Sequence, residues 1–175
     1  MKHLKLTSIL VAGLCSTGAL AQEAMNDLEI AHTAYTAGAI DVRYAHLATA
    51  LSDNPAVIEF AATMLRDHNA VNEAALALLT ELDVSPQDND LSKALNDGAA
   101  AKRAELAGLS GDAFDCAYAT NELAYHQLVN STVEGSFIPA VTVEPLAELL
   151  KDALATFQQH EKHAEMMVAE LQCAN

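Results

Sequence analysis

Stretches of the chain repeat apolar residues at alternating steps of four and three, a spacing that commits them to packed helices. One stretch gives Val57, Ala61, Met64, His68, Val71, Ala75, Leu78 and Leu82, apolar everywhere but once. A second gives Leu146, Leu150, Ala153, Phe157, His160, Ala164, Met167 and Leu171, again with a single histidine in mid-seam. A third gives Ile30, Ala34, Ala37, Asp41, Tyr44, Ala48 and Leu51, with one carboxylate. Each seam places a polar residue where leucine would pack better. Near position 120 the pattern is less regular: the apolar face centres on Phe114, Tyr118, Tyr125 and Leu128. His126 is then expected on its flank, beside Val129 and Val133.

Alanine, leucine and glutamate are abundant, tryptophan is absent and β-branched runs are few, all of which favour helix. Breakers set the bounds. Ser52-Asp53-Asn54-Pro55 makes a turn with Pro55 suited to a first helical position. Asp83 to Asp88 is a polar loop, Ser110-Gly111-Asp112 offers a cap, and Gly135 to Pro145, with two prolines, reads as an irregular connection. The expected long helices are Glu23–Leu51, Pro55–Leu82, Asp112–Glu134 and Glu144–Cys173, with a shorter one near Leu91–Leu106. The fold class is therefore all-α: a ferritin-like four-helix bundle with a short extra helix in the crossover between the second and third long helices.

Residue counts set which groups can meet. Asp41 lies eleven residues before Ser52 and His68 fourteen after Asn54, an offset of about 4.5 Å along a helical hairpin. Cys116 lies ten residues before His126 and Cys173 thirteen after His160. With those histidines level in an antiparallel pair, the cysteines differ in height by about 4.5 Å, which suits a disulfide. Two unrelated buried thiols are the alternative.

The chain opens MKHLKLTSILVAGLCSTGALAQ: Lys2 and Lys5, an apolar run around Ile9 to Leu14, then Ala19-Leu20-Ala21. This is the pattern of a secretory leader over residues 1–21, cut after Ala21, and it points to a bacterial periplasm. A lipoprotein signal at Cys15 fits less well, because Leu14 is bulky where a small residue is needed. Residues 22–175 then form one domain, long enough for a real core. Losing Lys2 and Lys5 leaves 24 acidic residues against 7 basic ones, and the net charge moves from −15 to −17. Such acidity disfavours nucleic acid and anionic lipid as partners. No membrane insertion is expected after the leader, and the identity of any protein partner, a second copy included, stays open.

Three stretches, "NPAVIEFAATMLRDHNAVN", "LSGDAFDCAYATNELAYHQ" and "TFQQHEKHAEM", resemble in order and spacing the exported ferritin-like proteins of the domain-of-unknown-function 4142 family. The resemblance runs from about Ala31 to Met167 and implies a ferritin-like bundle in the cell envelope. Its pattern falls on Asp67-His68, Asp115, His126 and His160. The first helix departs from it: where the family usually reads Glu-x-Glu-Leu-Gly, this chain has Asp41-Val42-Arg43-Tyr44-Ala45.

The residues support a transition-metal site of His68, His126 and His160, with Asp41 as a fourth ligand and Asp67, Tyr44 or Tyr125 orienting the rings. Copper, zinc and iron are the candidate ions. A copper version adds His163, Met64 and Met167, since "HEKHAEMM" sets imidazole and thioether along one side of a helix. A carboxylate-bridged di-iron centre is not expected: Glu29–His32 is the single Glu-x-x-His, and Glu122 and His126 are four apart. Hydrolytic motifs are lacking. The competing view is a metal-free structural or interaction module whose core histidines are satisfied by Asp67, Asp115 and tyrosine hydroxyls.

Overall fold

The computed structural model describes residues 25–173. The leader expected over residues 1–21, its cleavage point and Cys15 lie outside them. Among the described residues all regular structure is helical, and the expected bounds hold closely. The first helix, α1, spans Asp27–Leu51 and starts later than expected. Its start is fixed by a capping box: the Asn26 side chain accepts from the N–H groups of Leu28 and Glu29, and Glu29 accepts from the Asn26 N–H. Helix α2, Pro55–Glu81, starts on Pro55 with Asn54 as its cap. Helix α3, Asp90–Ala107, opens on a second capping box between Asn89 and Ser92. Helix α4 covers Gly111–Thr132 and α5 covers Glu144–Glu170.

The stretch from Gly135 corrects the expectation of an irregular connection. Helix α4 runs on through a π turn, Val133–Phe137, and one further turn, Ile138–Ala140. Pro139 has no N–H and its ring crowds the carbonyl four residues back. The wider π turn, in which the Ile138 N–H reaches the Val133 carbonyl, makes room for it.

Direction follows from the contacts between ends. Ser52, in the α1–α2 turn, donates to Asp115 at the start of α4. Asn89, at the start of α3, donates to Glu29 and Thr33 near the start of α1, and Thr142, just before α5, donates to Asp27. Helices α1, α3 and α5 therefore run one way and α2 and α4 the other. Each of α1, α2, α5 and α4 packs on the next in a ring, and α3 lies on the outer side of α1. That cover explains why α1 buries more than one seam, adding Ile40 and Ala45 to Ala37, Asp41, Tyr44 and Ala48. No helix among the described residues is long and apolar enough to cross a membrane.

The core has two parts. A lower cluster, at the α1–α2 turn end, gathers Phe60, Met64, Leu106, Phe114, Tyr118 and Met167. An upper cluster gathers Ile30, Leu79, Val133, Phe137, Leu146 and Leu150. The α5 seam is buried as expected from Leu146 to Met167. Along α2 the seam residues Val71, Ala75 and Leu78 are half-buried, Asn72 and Leu79 beside them are buried, and Leu82 at the helix end is exposed. At the lower end Cys116 and Cys173 form the expected disulfide, with Cα atoms 5.3 Å apart.

Candidate metal centre

Between the two apolar clusters lies a polar layer, to which each long helix contributes. Asp41 comes from α1, His68 from α2, Glu122 and His126 from α4 and His160 from α5; all five are buried. The three imidazoles form a triangle, with ring centroids 5.7 Å apart for His68–His126, 5.4 Å for His68–His160 and 5.5 Å for His126–His160. One ligand atom from each lies within 4.8 Å of the other two. Asp41, Glu122 and His126 form a second such group, so His126 belongs to both.

The α4 residues correct the sequence-based face. His126 is inside the bundle, whereas Leu128 is 56% exposed. Tyr118, Glu122, His126 and Asn130, four apart, line the buried side of α4. A helix can turn this ladder inward only where its neighbours also present polar groups, and here three of them do. Glu122 was not expected in the site, because four-residue spacing to His126 does not match a Glu-x-x-His ligand pair. The unbroken ladder of four was the available signal.

Hydrogen bonds decide which ring nitrogen is free. His126 Nδ1 lies 2.9 Å from the Glu122 carbonyl oxygen, which can only accept, so Nδ1 carries the proton and Nε2 keeps its lone pair. His160 Nε2 lies 2.9 Å from Asp67 Oδ2. Arg66 donates to both oxygens of that carboxylate, and chiefly this contact, with His160 adding to it, holds Asp67 below its usual pKa. Asp67 is thus ionised and accepts, leaving His160 Nδ1 with the lone pair. His68 is held by stacking on Phe157, with centroids 4.3 Å apart and planes 14° from parallel. Neither of its nitrogens has a hydrogen-bond partner.

The unpartnered atoms are concentrated here: both oxygens of Asp41 and of Glu122, both nitrogens of His68, His126 Nε2 and His160 Nδ1. Buried polar groups ordinarily find partners, so such a cluster asks for one. His68 Nε2 and His126 Nε2 lie 3.5 Å and 3.6 Å from Asp41 Oδ2. Those separations are long for hydrogen bonds. They suit ligands on a shared tetrahedral ion, whose donor atoms at bond lengths of about 2.1 Å stand about 3.4 Å apart.

The electrostatics agree. Burial lowers the pKa of His68 to about 3, with the neighbouring His160 adding to the shift. Burial likewise lowers His126 and His160, against the pull of Asp41 and Asp67 respectively. All three rings are neutral at pH 7 and have lone pairs to give. Glu122 is pushed well up, first by burial and then by the facing Asp41, which burial also raises.

Of the other expected residues, Tyr125 donates to the Ala37 carbonyl rather than to a histidine, and Tyr44 meets it edge to face. Met64 and Met167 lie in the lower apolar cluster. His163 is half-buried, edge-on to Phe60 at 5.0 Å between centroids, and is in neither converging group; Met166 is exposed.

The family described as "Domain of unknown function (DUF4142)" matches residues 14–167, most of the chain. The protein belongs to that family. No curated protein and no solved structure matches it. Of the positions picked out by resemblance to the DUF4142 pattern, His68, His126 and His160 converge and Asp67 orients His160. Asp115 does other work. It accepts from Ser52, tying the start of α4 to the α1–α2 turn, and meets no histidine as the metal-free view had expected. Arg43, where this DUF4142 chain departs from the pattern, points outward and donates to Asn96 of α3, 3.0 Å away.

Proposed function

We propose that this is an exported, ferritin-like bundle that holds one transition metal ion in its polar layer and serves metal handling or envelope stress. The observation that carries the reading is the convergence of buried ligand atoms in two groups that share His126: His68, His126 and His160 from α2, α4 and α5, and Asp41, Glu122 and His126 from α1 and α4. His68, His126 through Nε2 and His160 through Nδ1 would be the nitrogen ligands, with Asp41 as the oxygen ligand and Glu122 in reserve. The order up, down, down, up of the four long helices, with a crossover between the middle two, supports the ferritin-like description. The disulfide supports an oxidising compartment.

A nitrogen and oxygen set suits divalent zinc or iron better than reduced copper, for which thioether or thiolate is the preferred partner. The copper version built on His163, Met64 and Met167 is therefore the weaker one. The metal-free reading draws on one observation, that His126 and His160 each have one nitrogen bonded. It leaves His68 unexplained, although a protonated Glu122 can donate to the facing Asp41.

Thermal unfolding with added zinc, iron(II), manganese or copper separates the two. A site predicts a rise in Tm that grows with metal concentration and disappears in His68→Ala, while the metal-free His68→Ala protein stays folded. If every ion leaves Tm unchanged and His68→Ala merely lowers it, the histidines are pins between helices and the metal reading fails.

A further inference from the structure

Above the polar layer the bundle is not filled. A cavity of about 320 Å³ runs through the upper half, bounded below by Asp41, His68 and His126. At its far end it is bounded by Leu82, Val84 and Leu91, each partly open to solvent. Between those ends its wall is almost wholly aliphatic and aromatic. Along α1 it reaches from Asp41 back to Asp27, fourteen residues or about 21 Å at the helical rise. That length set against the volume makes the cavity elongated, a shape that suits one extended chain. A cavity of about 150 Å³ holds benzene, so this one has room for about a dozen carbon atoms.

The floor is as unusual as the walls. Asp41, His68 and His126 are buried, and each presents at least one polar atom without a protein partner. His160 and Glu122 do not line the cavity and close the layer from behind. A ligand entering from above would bring its apolar body along the walls and its end group onto these atoms.

We infer that the cavity binds a single medium-chain fatty acid, its chain in the upper half and its carboxylate on the Asp41–His68–His126 floor. Binding of the carboxylate end rests on the metal site proposed above, since an ion there would offset the repulsion of Asp41 and take the carboxylate as a further, fifth ligand. Binding of the chain does not. A phospholipid is disfavoured because the polar end of the cavity is the buried one, with no room for a glycerophosphate headgroup.

The test uses decanoate and decanol, titrated calorimetrically into metal-free and zinc-loaded protein. Two variants fill the cavity from different walls, Ala153→Phe on α5 and Ala34→Leu on α1, with circular dichroism to confirm that each folds. The expected result is that zinc tightens decanoate binding tenfold or more and decanol binding much less. Either variant should weaken both ligands at least tenfold without changing zinc uptake. If the protein takes up no zinc yet binds decanol, and the variants abolish that, the chain site stands and the metal reading falls. Failure of both ligands to bind either form overturns the inference. So does binding that both folded variants leave unchanged, or competition by a short-chain phospholipid as effective as decanoate.

Discussion

The two halves of the bundle are drawn from the same four helices and the same apolar repeat, yet one is closed and the other is hollow. Below the polar layer, Phe60, Met64, Phe114 and Tyr118 are fully buried, and Phe60 and Phe114 both pack on Tyr118. The Cys116–Cys173 bridge and the Ser52–Asp115 hydrogen bond fasten that end. Above the layer the inward positions include Ala31, Ala34, Ala37, Gly38, Ala75 and Ala153. A Cβ on Gly38 would stand 2.5 Å from Asn72 Oδ1, so glycine there leaves room for the Asn72 side chain between α1 and α2. Small side chains, most of them on α1, leave part of the space. Periodicity thus decides which face points inward, and side-chain size decides whether the inside fills.

This contrast can be broken by substitution. Phe60→Ala, in the closed half, should cost about 3–5 kcal/mol. Leu150→Ala, beside the existing cavity, should cost nearer 2 kcal/mol, the low end for such a truncation. Urea denaturation measures both, and equal costs would erase the distinction between the halves. Replacing both cysteines with serine should cost about 2–4 kcal/mol, since the bridge closes a loop across a separation of 57 residues. The same Ser pair should leave ligand binding in the upper half unchanged.

The polar layer between the halves gives a pH signature. His68, with its pKa lowered to about 3, and His126 and His160, each lowered by burial, are less protonated in the folded state than in the unfolded one. Their contribution is fully present above the ordinary histidine pKa of about 6.5 and is lost as pH falls below it, for His68 down to about 3. Glu122 acts in the opposite sense. Its folded pKa is raised, so its contribution is present below about 4.5 and is lost as pH rises through the folded value. Urea midpoints of metal-free protein should therefore fall between pH 6.5 and 4, and Glu122→Gln should flatten the decline at higher pH. A curve that is flat across both windows would mean that the layer is hydrated. The smallest effect belongs to Ala153→Leu. Filling part of the cavity should change stability by less than about 1 kcal/mol, and a larger loss would mean that the upper half is already packed.

Much of the fold was legible because helices declare themselves locally. Pro55, the loop at Asp83–Asp88 and Ser110-Gly111 punctuate the chain, and the seams of α1 and α5 carry a single polar residue each. The count across the α1–α2 turn set Asp41 near His68, and the counts from His126 and His160 favoured pairing Cys116 with Cys173. What escaped depends on neighbours. Helix α4 has an aromatic and aliphatic face through Tyr125 and Leu128 and a polar ladder through Glu122 and His126. Only the polar residues on α1, α2 and α5 decide that the ladder turns inward. The π turn before Pro139 trades one backbone register for another, which no residue preference announces. The cavity is a property of several helix faces together, its small residues lying mostly on α1, and no single seam reveals it.

Metal analysis of the protein, purified without chelator or affinity tag, beside His68→Ala treated in the same way, decides whether the polar layer is a metal centre. A metal centre predicts close to one equivalent of a transition metal in the native protein and its loss in a His68→Ala protein that remains folded. Native protein that carries no metal and still takes up none from zinc, iron, manganese or copper would contradict it.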